Sequence, residues 1–226
     1  SILSGSSIEA ANLANNHSHD YGEKSYTDTI SALEDAGIAS FGYNRIKILK
    51  IKGIKVGVTG IYELADHQKR ASQVKQNIKA LKKAGAQVII VNFHWGIEKQ
   101  YTPDENQKAL AHLAVDEGAD LVIGHHPHVL EGIEEYNGKY ICYSLGNFWF
   151  DEYNVDTMLV NIRISGNDYG DKIDVSVVPA VQDGTLQGCV THICTQEEDK
   201  SRIFSLLNKV SINANVADDG TVTQVK

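Results

Sequence analysis

Short apolar runs alternate along this chain with longer stretches in which apolar residues recur every three or four positions. Three of the short runs end in asparagine or histidine. Ile8 to Ala14 leads into Asn15-Asn16-His17, Val88 to Phe93 into His94-Trp95-Gly96, and Ala119 to Ile123 into Gly124-His125-His126-Pro127-His128. Runs of this kind read as buried strands. The stretches between them read as helices. Tyr26, Ile30 and Leu33 share one face over 24–36, where Gly37 is a natural stop. Val74, Ile78 and Leu81 do the same over 71–84, turning Lys75, Lys79, Lys82 and Lys83 to water. Thr102-Pro103-Asp104-Glu105 opens a third helix, with Thr102 as cap and Glu105 completing a capping box. That helix buries Leu110 and Leu113, carries His112 at its boundary and stops at Gly118.

Hairpins are predicted where Lys52-Gly53 separates 46–51 from 55–61, and at Asn137-Gly138 within 135–140. Extended runs follow at 141–150, 158–164, 173–179 and 190–194, then a helix over 200–210 and a tail containing Asp219-Gly220. No linker or low-complexity segment divides the chain, so residues 1–226 read as a single domain. Alternating βα units followed by antiparallel strands predict an α/β fold of two packed sheets with helices outside.

The repeated strand ends matter chemically. In open α/β sheets ligands bind beyond the carboxyl ends of the strands, and here three such ends carry Asn or His. His126 and His128 flank Pro127, whose ring fixes one backbone angle of the turn. Imidazoles so spaced on a rigid turn can converge on one cation. Taken alone the turn could equally be a polar loop with local hydrogen bonds; its repetition at three strand ends favours the metal site.

Composition narrows the partners. A formal net charge of −8 over 226 residues argues against nucleic acid, and against adsorption to polyanions unless a local basic patch exists. Lys47, Lys50, Lys52 and Lys55 are candidates for one, a solvated strand face being the alternative. No apolar run is long enough to span a membrane. Cys142, Cys189 and Cys194 are odd in number and lack metal-type spacing, which favours buried free thiols, with a Cys189–Cys194 pair as the alternative. The chain starts without methionine at Ser1-Ile2-Leu3-Ser4-Gly5, which reads as the tail of a helix feeding a strand, so a preceding segment is expected.

Four motifs in order carry a family resemblance: Asn15-Asn16-His17 with Asp20-Tyr21-Gly22, His94-Trp95-Gly96 with Glu98, Gly124 to His128, and Ser144-Leu145-Gly146-Asn147-Phe148. From about Ile8 to about Asp151 the chain resembles the CapA-like poly-γ-glutamate capsule biosynthesis family, within the calcineurin-like metallophosphoesterases. The resemblance implies a four-layer α/β/β/α sandwich of the metallo-dependent phosphatase type, here without its first strands and motifs. It implies Asn16, His94, His126 and His128 as ligands of divalent manganese, zinc or iron, with two ions in the complete protein. His125 ranks below its neighbours. His17 would face the scissile bond as proton donor, with Asp20 holding its ring; a turn role beside Gly22 is the alternative for Asp20. Glu98 and Asn147 would lie at the rim, Trp95, Phe148 and Trp149 would wall the pocket, and His19, His67 and His192 would be structural or exposed.

The family's Gly-Asp and Asn-x-Glu motifs, which lie upstream of its Asn-Asn-His segment, do not occur ahead of Asn15 in this chain. Without their carboxylates the chain alone is expected to hold at most one ion, weakly, and to be a poor phosphoesterase. The implied function is a metal-dependent hydrolase of a phosphoester or related bond in capsule or poly-γ-glutamate biosynthesis. A non-catalytic component of a polymer synthesis or export complex, and a polymer amide hydrolase, are the alternatives. Implied partners are a phosphoester or anionic polymer substrate and a membrane-bound capsule synthesis complex, with the protein extracellular and anchored to the outer face of the cytoplasmic membrane.

Overall fold

The computed structural model describes residues 3, 5–64, 67–150, 154–165, 172–185 and 188–225. Ser1, Ile2, Ser4 and Asp151 lie outside the described residues, as does the side chain of His67. The elements in chain order are β1 (Ala10–Asn12), α1 (Gly22–Asp35), β2 (Ala39–Phe41), β3 (Lys47–Ile51), β4 (Ile54–Tyr62), α2 (His67–Lys83), β5 (Val88–His94), α3 (Glu105–Asp116) and β6 (Leu121–His125). They continue with β7 (Ile133–Tyr136), β8 (Lys139–Cys142), β9 (Val155–Ser165), β10 (Lys172–Thr185), β11 (Gly188–Ile193), α4 (Glu197–Val210), β12 (Ala214–Val216) and β13 (Val222–Gln224).

The result is a mixed α/β fold with several sheets. A six-stranded sheet runs in the order β3-β4-β5-β6-β8-β7, parallel from β4 to β8 and antiparallel at both edges. A three-stranded antiparallel sheet, β11-β10-β9, is separate from it. One face of the large sheet packs Val91, Phe93 and Val122 against Val74, Ile78 and Leu81 of α2 and Leu110, Ala111 and Ala114 of α3. On the other face Leu121, Ile133 and Cys142 meet Met158, Val175 and Val177 of the small sheet and Ile203, Phe204 and Leu207 of α4. β4 to β6 are therefore covered on both sides, which is why their sequences are apolar runs without alternation.

Both predicted hairpins form. Lys52 and Gly53 have φ of 49° and 89°, and Asn137 and Gly138 of 51° and 77°, the double left-handed geometry that matches strand twist. Three expectations shift. The first strand is only Ala10–Asn12 and pairs with β2 in a two-stranded parallel sheet, outside the large one. Asn12 Oδ1 accepts from Ala14 N at 3.0 Å, which turns the chain early. α3 is capped by Asp104 and not Thr102: Asp104 Oδ1 accepts from Gln107 N and Gln107 Oε1 from Asp104 N, both at 2.8 Å. Their carboxylate and amide reach where Thr102 and Glu105 do not. The run 141–150 leaves the sheet after Cys142, and the tail adds the β12–β13 hairpin about Asp219-Gly220.

Register fixes the rim. Tyr62, His94 and His125 stand abreast at the carboxyl ends of β4, β5 and β6. β1 brings its own end to the same rim because Gly60 and Gly42 leave room for it. A Cβ on Gly60 would meet Asn12 Oδ1 at 2.0 Å, and one on Gly42 would meet Ala14 N at 2.6 Å.

Candidate metal centre

The turn after β6 is strained where it carries its histidines. His126 and His128 adopt φ of 105° and 61° on either side of Pro127, a conformation that non-glycine residues hold only when the surroundings enforce it. The enforcement comes from the loop after β5: Trp95 N donates to His125 O at 3.0 Å and Lys99 N to Pro127 O at 2.7 Å. These two bonds lay residues 95–99 along the His126-Pro127-His128 turn. Gly124 permits it, since a Cβ there would meet Tyr143 O at 1.9 Å and Trp95 Nε1 at 2.4 Å.

Four strand ends thus converge. The rings of His94 and His126 are 4.7 Å apart and those of His126 and His128 5.6 Å. Asn16 Oδ1 lies 2.8 Å from His94 Nε2, so the segment after β1 reaches across to β5. Glu98, His126 and His128 offer one ligand atom each, all within 4.8 Å of one another. Beside them is a cleft of about 570 Å³, lined by Asn16, His17, His94, His125, His128 and Phe150 among others.

The site's electrostatics suit a cation. Burial, and then the neighbouring histidines, push His94 down to about 3, and burial pushes His125 down to about 4. Burial and His128 also lower His126, against the pull of Glu98. The three imidazoles are neutral at neutral pH and keep lone pairs for coordination. His128 Nδ1 sits 2.8 Å from Asn147 Oδ1. An amide oxygen can only accept, so Nδ1 carries the proton and Nε2 is left as donor atom. His126 Nδ1 is buried with no hydrogen-bond partner among the described residues. An orphaned imidazole nitrogen beside a carboxylate and a second imidazole fits a divalent ion. Donors 2.0–2.1 Å from zinc lie at most about 4.2 Å apart, so small side-chain shifts close this set on one ion.

His17 is placed differently. Its side chain is 72% exposed, with Nδ1 2.8 Å from Asp20 Oδ2 and Nε2 3.3 Å from Asn16 Nδ2. The Asn16 amide therefore bridges His94 and His17. Glu98, expected at the rim, is one of the three clustered donors; the pinned loop that carries it left no periodic trace in sequence. Asn12 and Asn92 also line the cleft, and their signal was an amide interrupting an apolar strand. Trp95 is not a pocket wall: it is fully buried, stacked on Phe93 at 4.1 Å, with Nε1 donating to Tyr143 O. Phe148 and Trp149 are exposed, and Phe150 takes the wall position, its ring 4.8 Å from His128. His19 stacks on Tyr26 at 4.3 Å, His112 bonds Glu134 at 3.0 Å and His192 is exposed.

The profile of the bacterial capsule synthesis protein PGA_cap matches residues 1–152. The capsule biosynthesis protein CapA of Bacillus anthracis is 35% identical over 224 residues, covering 88% of this chain and 53% of that protein. The PGA biosynthesis protein CapA of Bacillus subtilis (strain 168) is 32% identical over 194 residues, covering 75% and 50%. A probable polyglutamine synthesis accessory protein of Mycobacterium tuberculosis is 32% identical over 171 residues, covering 62% and 44%. The chain spans about half the length of these relatives. A crystal structure of a hypothetical protein from Thermus thermophilus aligns over 85% of this chain and 79% of that one, at 14% identity and a TM-score of 0.48.

Proposed function

The chain belongs to the PGA_cap family of bacterial capsule synthesis proteins, and on that premise we propose that it is a metal-dependent hydrolase of a phosphoester or related bond, serving capsule or poly-γ-glutamate biosynthesis outside the cytoplasmic membrane. The observation that carries the reading is the cluster of Glu98, His126 and His128, with His126 Nδ1 buried and unpartnered beside His94. In this reading the two sheets, with α2 and α3 outside one and α4 outside the other, belong to a four-layer α/β/β/α sandwich.

Asn16, through its amide oxygen, and His94, His126 and His128 would hold manganese, zinc or iron, with Glu98 as a fifth donor, the Asn16 Oδ1–His94 Nε2 hydrogen bond giving way to the ion. A divalent ion bound there supplies Lewis acidity and lowers the pKa of a water by several units. Glu98 replaces the expectation of a wholly neutral ligand set: one carboxylate offsets part of a dication's charge. A second ion would need further carboxylates, and none is clustered here among the described residues. His17 acts as proton donor. Asp20 on Nδ1 orients the ring, and Nε2, once released from Asn16 Nδ2 and carrying a proton, would deliver it to the leaving oxygen of a substrate in the cleft.

The test is release of nitrophenol from p-nitrophenyl phosphate with added manganese or zinc. The expected result is metal-stimulated turnover that EDTA abolishes and His126→Ala removes, while His17→Ala lowers kcat with bound metal retained. Turnover indifferent to EDTA and to His126→Ala would sink the reading. No metal-stimulated turnover at all would favour a non-catalytic component of a polymer synthesis complex, consistent with the accessory role in the name of the mycobacterial relative.

A further inference from the structure

Residues 45–83 hold eleven of the 21 Lys and Arg residues of the chain and two of its 29 Asp and Glu residues. A chain of net charge −8 therefore concentrates its positive charge in β3, β4 and α2. We propose that the outer face of α2, together with the β3–β4 hairpin, is a docking track for an extended polycarboxylate chain, running from the far end of α2 up to the cleft.

α2 turns Val74, Ile78 and Leu81 into the core, so Lys75, Lys79, Lys82 and Lys83 are left outside. Lys79 and Lys83 make no ion pair among the described residues. Among the described residues Lys75 has only Glu117 as an ion-pair partner, at 3.6 Å, and Lys82 donates to the backbone oxygen of Glu117 at 2.6 Å. The hairpin adds exposed lysines under like-charge strain. Lys50 and Lys55 are paired directly across β3 and β4, an arrangement that costs stability unless an anion bridges it. Lys55 lies over the end of α2, with Nζ 3.3 Å from where a Cβ on Gly85 would stand.

Two grooves make the patch a track. One, of about 390 Å³, lies between α2 and the end of α3 and is lined by Lys75, Gln76, Ile78, Lys79, Lys82 and Glu117, the one carboxylate beside four polar or charged side chains of α2. The next, of about 340 Å³, is lined by Tyr43, Asn44, Arg70, Gln73 and Gln76, and shares Gln76 with the first. From Arg70 to Lys82 the helix advances about 18 Å, at 1.5 Å per residue. The second groove abuts the cleft. Tyr43 donates to Asn15 O at 2.8 Å, and Tyr62 stands between Tyr43 and His94, with ring separations of 6.3 and 6.2 Å.

The chemistry selects the occupant. Nine of the eleven cations are lysines, point charges that suit carboxylates spaced along a flexible chain, whereas phosphate recognition favours the arginine fork. Residues 71–83 contain no aromatic side chain on which a base could stack. The amides of Gln73 and Gln76 can bond amide links between the carboxylates. A lipid surface would want apolar side chains beside the lysines, and on these elements Ile51 at the hairpin tip is the one large exposed apolar residue among the described residues.

The inference rests on the hydrolase reading only for the direction of the track toward the cleft, and its test separates the two. Binding of fluorescein-labelled polyglutamate to the whole chain is followed by anisotropy at low salt, with EDTA present so that no turnover enters. Wild type should bind, with affinity falling as salt rises. Lys50→Glu/Lys75→Glu/Lys79→Glu, all at exposed positions, should weaken binding about tenfold or more, the scale of a few exposed ion pairs reversed in sign. Lys108→Glu/Lys172→Glu/Lys209→Glu, an equal change of charge elsewhere, should weaken it far less. No binding by wild type, equal loss in the two variants, or tighter binding of polyphosphate, RNA or phosphatidylglycerol vesicles than of polyglutamate would overturn the proposal. Binding without turnover of the aryl phosphate would overturn the hydrolase alone, and turnover without binding the track alone.

Discussion

Glu131 is fully buried behind the site, in the segment that follows His128. Its Oε2 accepts from Gln107 Nε2 at 2.7 Å and its Oε1 has no partner among the described residues. Burial raises it from 4.5 to about 7, against the pull of the Gln107 bond and with a push from Asp104. Between those two values the unfolded chain has lost this proton while the folded chain still holds it, so stability falls as pH rises and levels off above 7. Glu131→Gln removes that dependence. Its stability relative to wild type should grow by on the order of 3 kcal/mol between pH 4 and pH 8, read by urea unfolding at each pH. A difference that stays constant with pH would mean the carboxyl is solvated or paired. The cysteines behave as their odd count suggested: all three are free, and burial pushes the Cys142 thiol up to about 12.

At the scale of elements, the placement of β1 decides whether Asn16 and His17 belong to the site at all. Among the described residues β1 pairs only with β2, and the absence of a side chain at Gly60 lets it lie over β4. Gly60→Ala should therefore push β1 and the Asn15-Asn16-His17 segment away from His94, costing about 1–3 kcal/mol of stability and weakening metal affinity while leaving the far-UV circular dichroism intact. Unchanged metal affinity would show that Asn16 is not coupled to the centre. The strands and helices were legible because their apolar periods are set by burial on one or two faces, as Val74, Ile78 and Leu81 show for α2 and Val88 to Phe93 for β5. Both hairpins were legible because Lys52-Gly53 and Asn137-Gly138 meet the turn's demand for left-handed backbone. What stayed hidden depended on contacts distant in sequence. The cap of α3 moved to Asp104 because Gln107 answers it, Trp95 went to the core because Tyr143 O accepts a hydrogen bond from its Nε1–H, and Glu98 reached the cluster through a backbone bond from Lys99 N to Pro127 O.

For the whole molecule, the fold presents two chemically opposite regions, a rim of neutral imidazoles with one carboxylate and a lysine-bearing flank that leads to it. The resemblance read from four motifs agrees with the family to which the chain belongs, while the metal, its number and the reaction stand as proposals on the geometry of the rim. Those proposals meet in one quantity, the zinc bound per chain. Equilibrium dialysis of the whole chain against zinc, followed by mass-spectrometric metal analysis of wild type, His126→Ala, His128→Ala and His17→Ala, measures it. Wild type and His17→Ala should each bind about one zinc ion, and the other two variants should lose it, as expected when ligands of a four- to five-donor site are removed. A wild-type chain that binds no zinc, or that keeps it when His126 and His128 are replaced, would contradict the metal centre.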